Sequence, residues 1–335
     1  AKYWLGRSYL DDPATVEASI ADALTDADAL VTHPAVAMIA LPLAHRAGVP
    51  VVVGHLFPML LETQQWTPSM PYSFRAPRPV NRLAWKAYDA FGKAAFPEKE
   101  INDLRRRCGM PTRNGAAVSA YRDAEETVLL TSPRYAEPAD DWPPVNIGGF
   151  AIWDGPADME IPPQLDDYIE SGEPPVLVTL GTSAATDAGR RFARIRVDLA
   201  RRGLRSIILA GNDTNAAALV GLPGVATFAP LTALLPRCRA AVVSGALGSV
   251  AAAVSAGVPA VVHPQLWDQY WHGRQLSRLG VGALARSVDQ VAGCVESILG
   301  DDIATAARSL SNSIAEEDGV GALVAAVERV LPLTN

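Results

Sequence analysis

Residues 242–282 read VVSGALGSVAAAVSAGVPAVVHPQLWDQYWHGRQLSRLGVG, setting a strand, a glycine turn, a helix, a second strand and an Asp-Gln pair in tight succession. Val242 and Val243 end an apolar run, Gly245, Ala246 and Gly248 leave room for close backbone approach, and the alanine-rich run Ser249 to Ala256 continues as a helix. A helix start of this kind points unpaired N–H groups outward, which suits a diphosphate. The same two glycines also serve tight strand-to-helix packing, and the turn alone does not separate the two uses. Downstream, Gly257 stops the helix, Pro259 to Val262 form a short strand, and Pro264 breaks it. Gln265 to Gln269 are therefore expected in a loop beyond the C-terminal end of a parallel strand, where open α/β sheets bind ligands.

The same alternation runs outward from this stretch. An alanine-rich helix leads into the β run Ala29 to Thr32, and a helix over Ala35 to Arg46 leads into the apolar strand Val49 to Val53. After the loop QQWTPSMPYSFRAPRP come helical segments through Ala95 and over Glu98 to Cys108, then a strand at Thr127 to Thr131. From Val176 the pattern repeats, with a strand to Leu180, a helix Phe192 to Arg202 and strands at Ser206 to Leu209 and Val225 to Phe228. Continuous β runs alternating with helices predict two parallel-sheet α/β domains. Between Pro133 and Pro175 proline, glycine and acidic residues accumulate and periodicity fades. The expected division is 1–148, a linker over 149–174, and 175–335, with a ligand cleft between the domains. Residues Ala1 to Asp12 show neither an initiating strand nor a phosphate-type turn, so the first domain is expected to lack its first strands.

Composition bounds the chemistry. The 335 residues are 49% hydrophobic and 19% charged with a formal charge of −7, which argues against a nucleic-acid partner. No apolar run is long enough to span a bilayer and no signal peptide opens the chain, so a cytoplasmic protein is expected. Cys108, Cys238 and Cys294 are widely spaced, and the five histidines form no i,i+4 pair, so no disulfide framework or metal site is encoded.

The order LGTS, FAPLTALLPRC, SGALGS and AGVPAVVHPQLWDQYWHGRQLSRLGVG resembles the UDP-glycosyltransferase-like superfamily of two-domain GT-B enzymes, especially the bacterial branch acting on lipids and natural products. The resemblance covers Pro175 to Leu331 and, more loosely, Ala21 to Gly149. It implies two Rossmann-like, doubly wound domains facing a cleft, and metal-independent, inverting transfer of a hexose from UDP or dTDP to a hydroxyl of a hydrophobic acceptor. The nucleotide sugar is a co-substrate, and no cofactor is implied. Peripheral membrane association through the acceptor is compatible with this reading.

Residue by residue, the resemblance places Gly181, Thr182 and Ser183 near the donor phosphates, although Thr182 or Ser183 would serve equally as a turn cap. Phe228 matches the base-stacking position and Ala229 the backbone that reads the base edge, while Phe228 as plain core is an equal alternative. Ser244 stands where the family often carries a diphosphate-binding histidine, with Gly245, Ala246, Gly248 and Ser249 supplying backbone donors. Asp268 and Gln269 match the pair that recognises the hexose hydroxyls, a role compatible with Asp268 capping the following helix. The family's general-base histidine belongs to a turn this chain does not contain, so the catalytic base is unassigned. His55, Trp66, Met70 and Phe74 are candidates for the acceptor side; a structural histidine and a packed surface loop are the alternatives. Ser244 also keeps open a catalytically silent relative that binds a ligand or partner. A sugar-nucleotide epimerase on the same scaffold fits less well, because no matching set of carboxylates and basic groups is present.

Overall fold

The computed structural model describes residues 9, 11–68, 74–153, 155–156, 158–181 and 188–331. It divides into two compact units, one of Ala1–Phe150 with Glu317–Asn335 and one of Ala151–Glu316. In the first, strands β1 (Leu30–Thr32), β2 (Val51–His55), β3 (Glu126–Leu129) and β4 (Asn146–Ile147) form a parallel sheet in that order. In the second, β5 (Val176–Thr179), β6 (Ser206–Leu209), β7 (Val225–Ala226), β8 (Ala240–Val243), β9 (Ala260–Val262) and β10 (Gly282–Leu284) form a parallel sheet in the order β10-β9-β8-β5-β6-β7.

The short apolar runs become strands because each is covered on both faces. Every residue of β2, β5, β6, β8 and β9 is buried, as continuous rather than alternating apolar strands require. In the second unit Val176, Val178, Leu180, Val242 and Val261 pack with Phe192, Ile195 and Leu199 of the helix Gly189–Ala200 and with Val291 and Val295 of the helix Val288–Ser297. Neighbouring strand ends are in register, with Val243 opposite both Thr179 and Val262. The C-terminal ends of β5, β8 and β9 therefore open side by side, and the residues just beyond them form one row.

The expected boundaries are corrected at both ends of the second domain. The linker range 149–174 holds a helix, Pro163–Glu170, which buries Leu165 and Ile169 and pairs Asp166 and Glu170 with Arg237, so it belongs to the second unit. The helix Gly319–Val330, expected in the second domain, packs instead on β2, β3 and β4 of the first. Gly148 lies tight against Ala322, and Ser132 donates to Glu317 Oε1 at 2.9 Å, which fixes the start of this helix beside the end of β3.

Two imidazoles are wholly buried. His55 is 1% exposed and His272 fully enclosed, and burial pushes both pKa values from 6.5 down to about 3. A histidine whose folded pKa is depressed contributes stability that is complete above its unfolded pKa and is lost as pH falls toward the folded value. Thermal melts stepped downward from neutral pH should therefore show a falling midpoint beginning near 6.5, with a shallower fall in His55→Gln. A midpoint independent of pH across that window would contradict the neutral, buried assignment.

Candidate functional site

The site is built on the row of strand ends in the second unit. Beyond β5, Gly181 takes φ +72°, and a Cβ there would lie 3.2 Å from Ser244 Oγ. Thr182 and Ser183 lie outside the described residues. Ser244 follows β8, is 1% exposed, and accepts weakly from the Ala246 N–H at 3.4 Å. Its hydroxyl is committed to the turn, a smaller role than an imidazole would fill.

Gly245 then turns the chain at φ +90°. A Cβ on it would stand 2.6 Å from Val262 Cγ1, 3.0 Å from Gln269 Cβ and 3.0 Å from the Gln269 carbonyl oxygen. The turn is thus pressed between β9 and the helix Trp267–Arg278, joining the two halves of the stretch that opened the sequence analysis. Ala246 is the N-cap of the helix Leu247–Ser255 and supplies no side-chain cap. Ser249 Oγ donates to the Ala246 carbonyl at 3.0 Å and so leaves the first N–H groups of that helix to another acceptor. Gly248 has open space where a Cβ would point.

The loop after β9 is held by Gln269, which is 2% exposed. Its Oε1 accepts from the N–H of Gln265 at 2.6 Å and of Leu266 at 3.0 Å. The carboxyl of its neighbour Asp268 lies at the same helix start; burial pushes its pKa up, and hydrogen bonds from the N–H groups of Asp268 and Gln269 oppose that. The N-cap position expected for Asp268 is corrected: the helix starts two residues earlier, Leu266 is its N-cap, Asp268 lies in the first turn, and Gln269 spends its oxygen on the N–H groups of the cap and the loop.

His263, which the sequence reading did not single out, extends the same row. Its N–H donates to the Val243 carbonyl at 2.8 Å, setting it beside Ser244, and its Nδ1 is 3.1 Å from the Ala285 carbonyl. Burial lowers its pKa, the Ala285 hydrogen bond raises it, and the Arg191 guanidinium lowers it again. The signal was its place immediately before the Pro264 break, at a strand end.

Phe228, just past β7, is 45% exposed, while Ala229 is buried. Of the two alternatives for Phe228, plain core does not fit. With Pro162, Gln164, Leu219, Val220 and Thr227 it lines an open cavity of about 560 Å³. None of Ser244, Gly245 and Asp268 lines that cavity, so the base-side residue and the helix start are separate features of one unit.

In the first unit the expected acceptor residues part company. His55 is buried, accepts the Phe57 N–H on Nδ1 at 3.2 Å and packs edge-on to Tyr121 at 5.0 Å. Its role is structural. The Trp66 carbonyl accepts from Trp85 Nε1 at 3.0 Å, and its ring meets Trp142 edge-on at 6.0 Å. Phe74 is 57% exposed and is tied to Thr67 through its own N–H and carbonyl. Met70 lies outside the described residues. His33 caps the helix Pro34–Ala47 by accepting the Ala35 N–H on Nδ1 at 3.1 Å. In both His33 and His55 the neutral ring consequently carries its proton on Nε2 and presents a donor, not a base. Among the described residues no group of three His, Cys, Asp or Glu side chains is placed to hold a metal ion.

Residues 205–322 match the EryCIII-like family, described as erythromycin biosynthesis protein CIII-like, C-terminal domain. The chain is 31% identical over 276 residues to O-mycaminosyltylonolide 6-deoxyallosyltransferase of Streptomyces fradiae, covering 77% of this chain and 63% of that protein. It is 26% identical over 330 residues to sterol 3-beta-glucosyltransferase UGT80A2 of Arabidopsis thaliana, covering 92% of this chain and 50% of that protein. The chain thus spans about half to two thirds of the length of these relatives. The crystal structure of the glycotransferase of kitacinnamycin superposes with a TM-score of 0.70 at 20% identity, over 97% of this chain and 81% of that one. The fold is that of the GT-B glycosyltransferases, and the similarity to the EryCIII-like C-terminal domain lies for the most part in the second unit.

Proposed function

We propose that this chain is an inverting glycosyltransferase, moving a hexose from a UDP- or dTDP-linked donor to a hydroxyl of a hydrophobic lipid or natural product. The observation that carries this reading is the helix Leu247–Ser255, whose start has no side-chain cap and is pinned by Gly245 against the Asp268–Gln269 loop. An anion of two phosphates finds its donors there, and a sugar attached to them comes within reach of a carboxylate and an amide.

In the reaction the acceptor oxygen bonds to the anomeric carbon as the bond from that carbon to the diphosphate oxygen breaks. The nucleotide diphosphate leaves with the electron pair, and the N–H groups at the helix start stabilise its charge. Asp268 accepts from sugar hydroxyls, Gln269 donates through its amide hydrogens, and Phe228 stacks on the base. The acceptor proton passes to a base other than His33 or His55, whose Nδ1 atoms are taken by backbone N–H groups. Because main-chain donors serve the leaving group, transfer should persist in EDTA.

Calorimetric titration with UDP and with dTDP tests the donor site. One nucleotide should bind, and Phe228→Ala should weaken it about 10-fold or more, in line with the ~1–3 kcal/mol of base–aromatic stacking. Absence of binding to either nucleotide by the folded protein would sink the reading. It would favour the silent relative instead, in which the buried Ser244 has replaced the group the diphosphate needs.

A further inference from the structure

The helix Arg78–Ala95 has three distinct faces. Asn81, Trp85 and Gly92 are buried against its own unit. At about 100° per residue, Arg78, Arg82, Lys86 and Lys93 fall together in one exposed sector about 80° wide. The remaining sector is apolar and open to solvent: Leu83 is 68% exposed, Phe91 48% and Val80 47%, with Ala87 and Ala90 exposed between them. An isolated exposed leucine is ordinary, but a continuous apolar stripe flanked by a row of cations is not.

None of the cations is in contact with a carboxylate, although Lys93 acts through space on Asp89 and Arg78 on Asp141. Arg82 donates to the Gln64 side-chain oxygen at 2.9 Å and Lys93 to that of Asn114 at 3.2 Å, both uncharged. Among the described residues none of the four forms an ion pair with a carboxylate. The helix has a single carboxyl, Asp89, which is partly buried and falls within the same sector, so the four cations there outnumber it. This positive surface sits on a chain whose formal charge is −7, so it is a local feature against the overall sign. Phe74, exposed just before the helix, prolongs the apolar side.

We propose that the outer face of the helix Arg78–Ala95 docks on an anionic phospholipid bilayer, laying Val80, Leu83 and Phe91 into the headgroup boundary while Arg78, Arg82, Lys86 and Lys93 meet the lipid phosphates. Charge complementarity selects this occupant: a protein partner or a second copy would cover the apolar stripe but has no need of an excess of cations free of carboxylate contacts beside it, whereas interfacial helices combine the two. No helix among the described residues is long and apolar enough to cross a membrane, and this one lies on the surface instead. The inference stands on this helix alone and does not depend on the donor site.

Co-sedimentation with vesicles tests it. The protein should pellet with vesicles of phosphatidylcholine mixed with phosphatidylglycerol at low salt, several-fold less with phosphatidylcholine alone, and progressively less as salt rises. Arg82→Glu with Lys86→Glu should reduce binding about 10-fold or more, on the basis of ~1 kcal/mol per cation at an anionic surface. Leu83→Ser with Phe91→Ser should weaken it on the same vesicles. All four positions are exposed, so circular dichroism melts should match the parent, and UDP and dTDP titrations of the variants report separately on the donor site. No retention on the anionic vesicles, or equal retention by the charge-reversed variant, would overturn the proposal. So would a dimer that falls to monomer in Leu83→Ser with Phe91→Ser and ignores vesicles, since the face would then be a subunit contact.

Discussion

Replacing Gly245 by alanine should abolish nucleotide binding and unfold the second unit well below the parent's melting temperature. Two independent penalties act at this position. The backbone sits at φ +90°, a conformation that costs a side-chain-bearing residue ~1–3 kcal/mol. The new Cβ would also stand 2.6 Å from Val262 Cγ1 and 3.0 Å from the Gln269 carbonyl, and forcing a methyl into a packed site costs a further ~1–3 kcal/mol. Together they come to about 2–6 kcal/mol, a large share of an ordinary domain's stability. Relief is available only if the turn retreats from β9 or the helix Trp267–Arg278 shifts. Either movement separates the start of the helix Leu247–Ser255 from the Asp268–Gln269 loop. Gly248→Ala is the control, because that glycine has open space at its Cβ and lies in helix, where alanine is preferred by ~1 kcal/mol. Differential scanning calorimetry of both variants decides it. If Gly245→Ala melts with the parent, the turn is not clamped as described.

Asp268→Ala should act in the opposite way, slowing transfer while leaving the fold as stable as before or more so. The carboxyl is held at a partly buried helix start where burial raises its pKa, opposed by hydrogen bonds from the N–H groups of Asp268 and Gln269. A carboxyl with a raised folded pKa favours the folded state below its unfolded pKa of 3.8 and loses that contribution as pH rises through the folded value. At neutral pH the ionised group is therefore a burden on folding, borne for its function. Hydrogen bonds from sugar hydroxyls to a charged group contribute ~1.5–3 kcal/mol, so kcat/KM should fall about 10–100-fold while affinity for the free nucleotide is kept. The pair of measurements matters more than either alone. A fall in both transfer and nucleotide affinity would assign Asp268 to the phosphates, and unchanged transfer would remove it from the site.

The fold class was legible because parallel strands buried on both faces write themselves as uninterrupted runs such as Val51 to Val53 and Ala240 to Val243. The meeting of Gly245, Gln269 and the helix start was legible for a related reason: they are close in sequence and come together through one turn. What could not be read was the destination of elements whose partners are remote. The helix Gly319–Val330 shows an apolar face, but its sequence does not say which sheet receives it. The helix Pro163–Glu170 is short, prolines precede it, and only Leu165 and Ile169 go inside, so its composition resembles a linker. His55 follows the same logic. A Gly-His pair after a strand looks like a site, but Tyr121, which covers the imidazole, is distant in sequence. The place of His263 before Pro264 marks it as a strand-end residue, but that it lies beside Ser244 shows only through strand register.

Because the helix Gly319–Val330 belongs with strands made before residue 151, the order of synthesis and the order of completion differ. During translation the strands β1 to β4 emerge first but wait, without one of their covering helices, while all of residues 151–316 is made. The second unit has its own core and no such dependence, so it can finish folding on the ribosome before the first does. In the interval β2 and β3 lack the contacts that the helix Gly319–Val330 makes with them. The nascent first unit therefore stays without this covering helix for as long as residues 151–316 take to be translated.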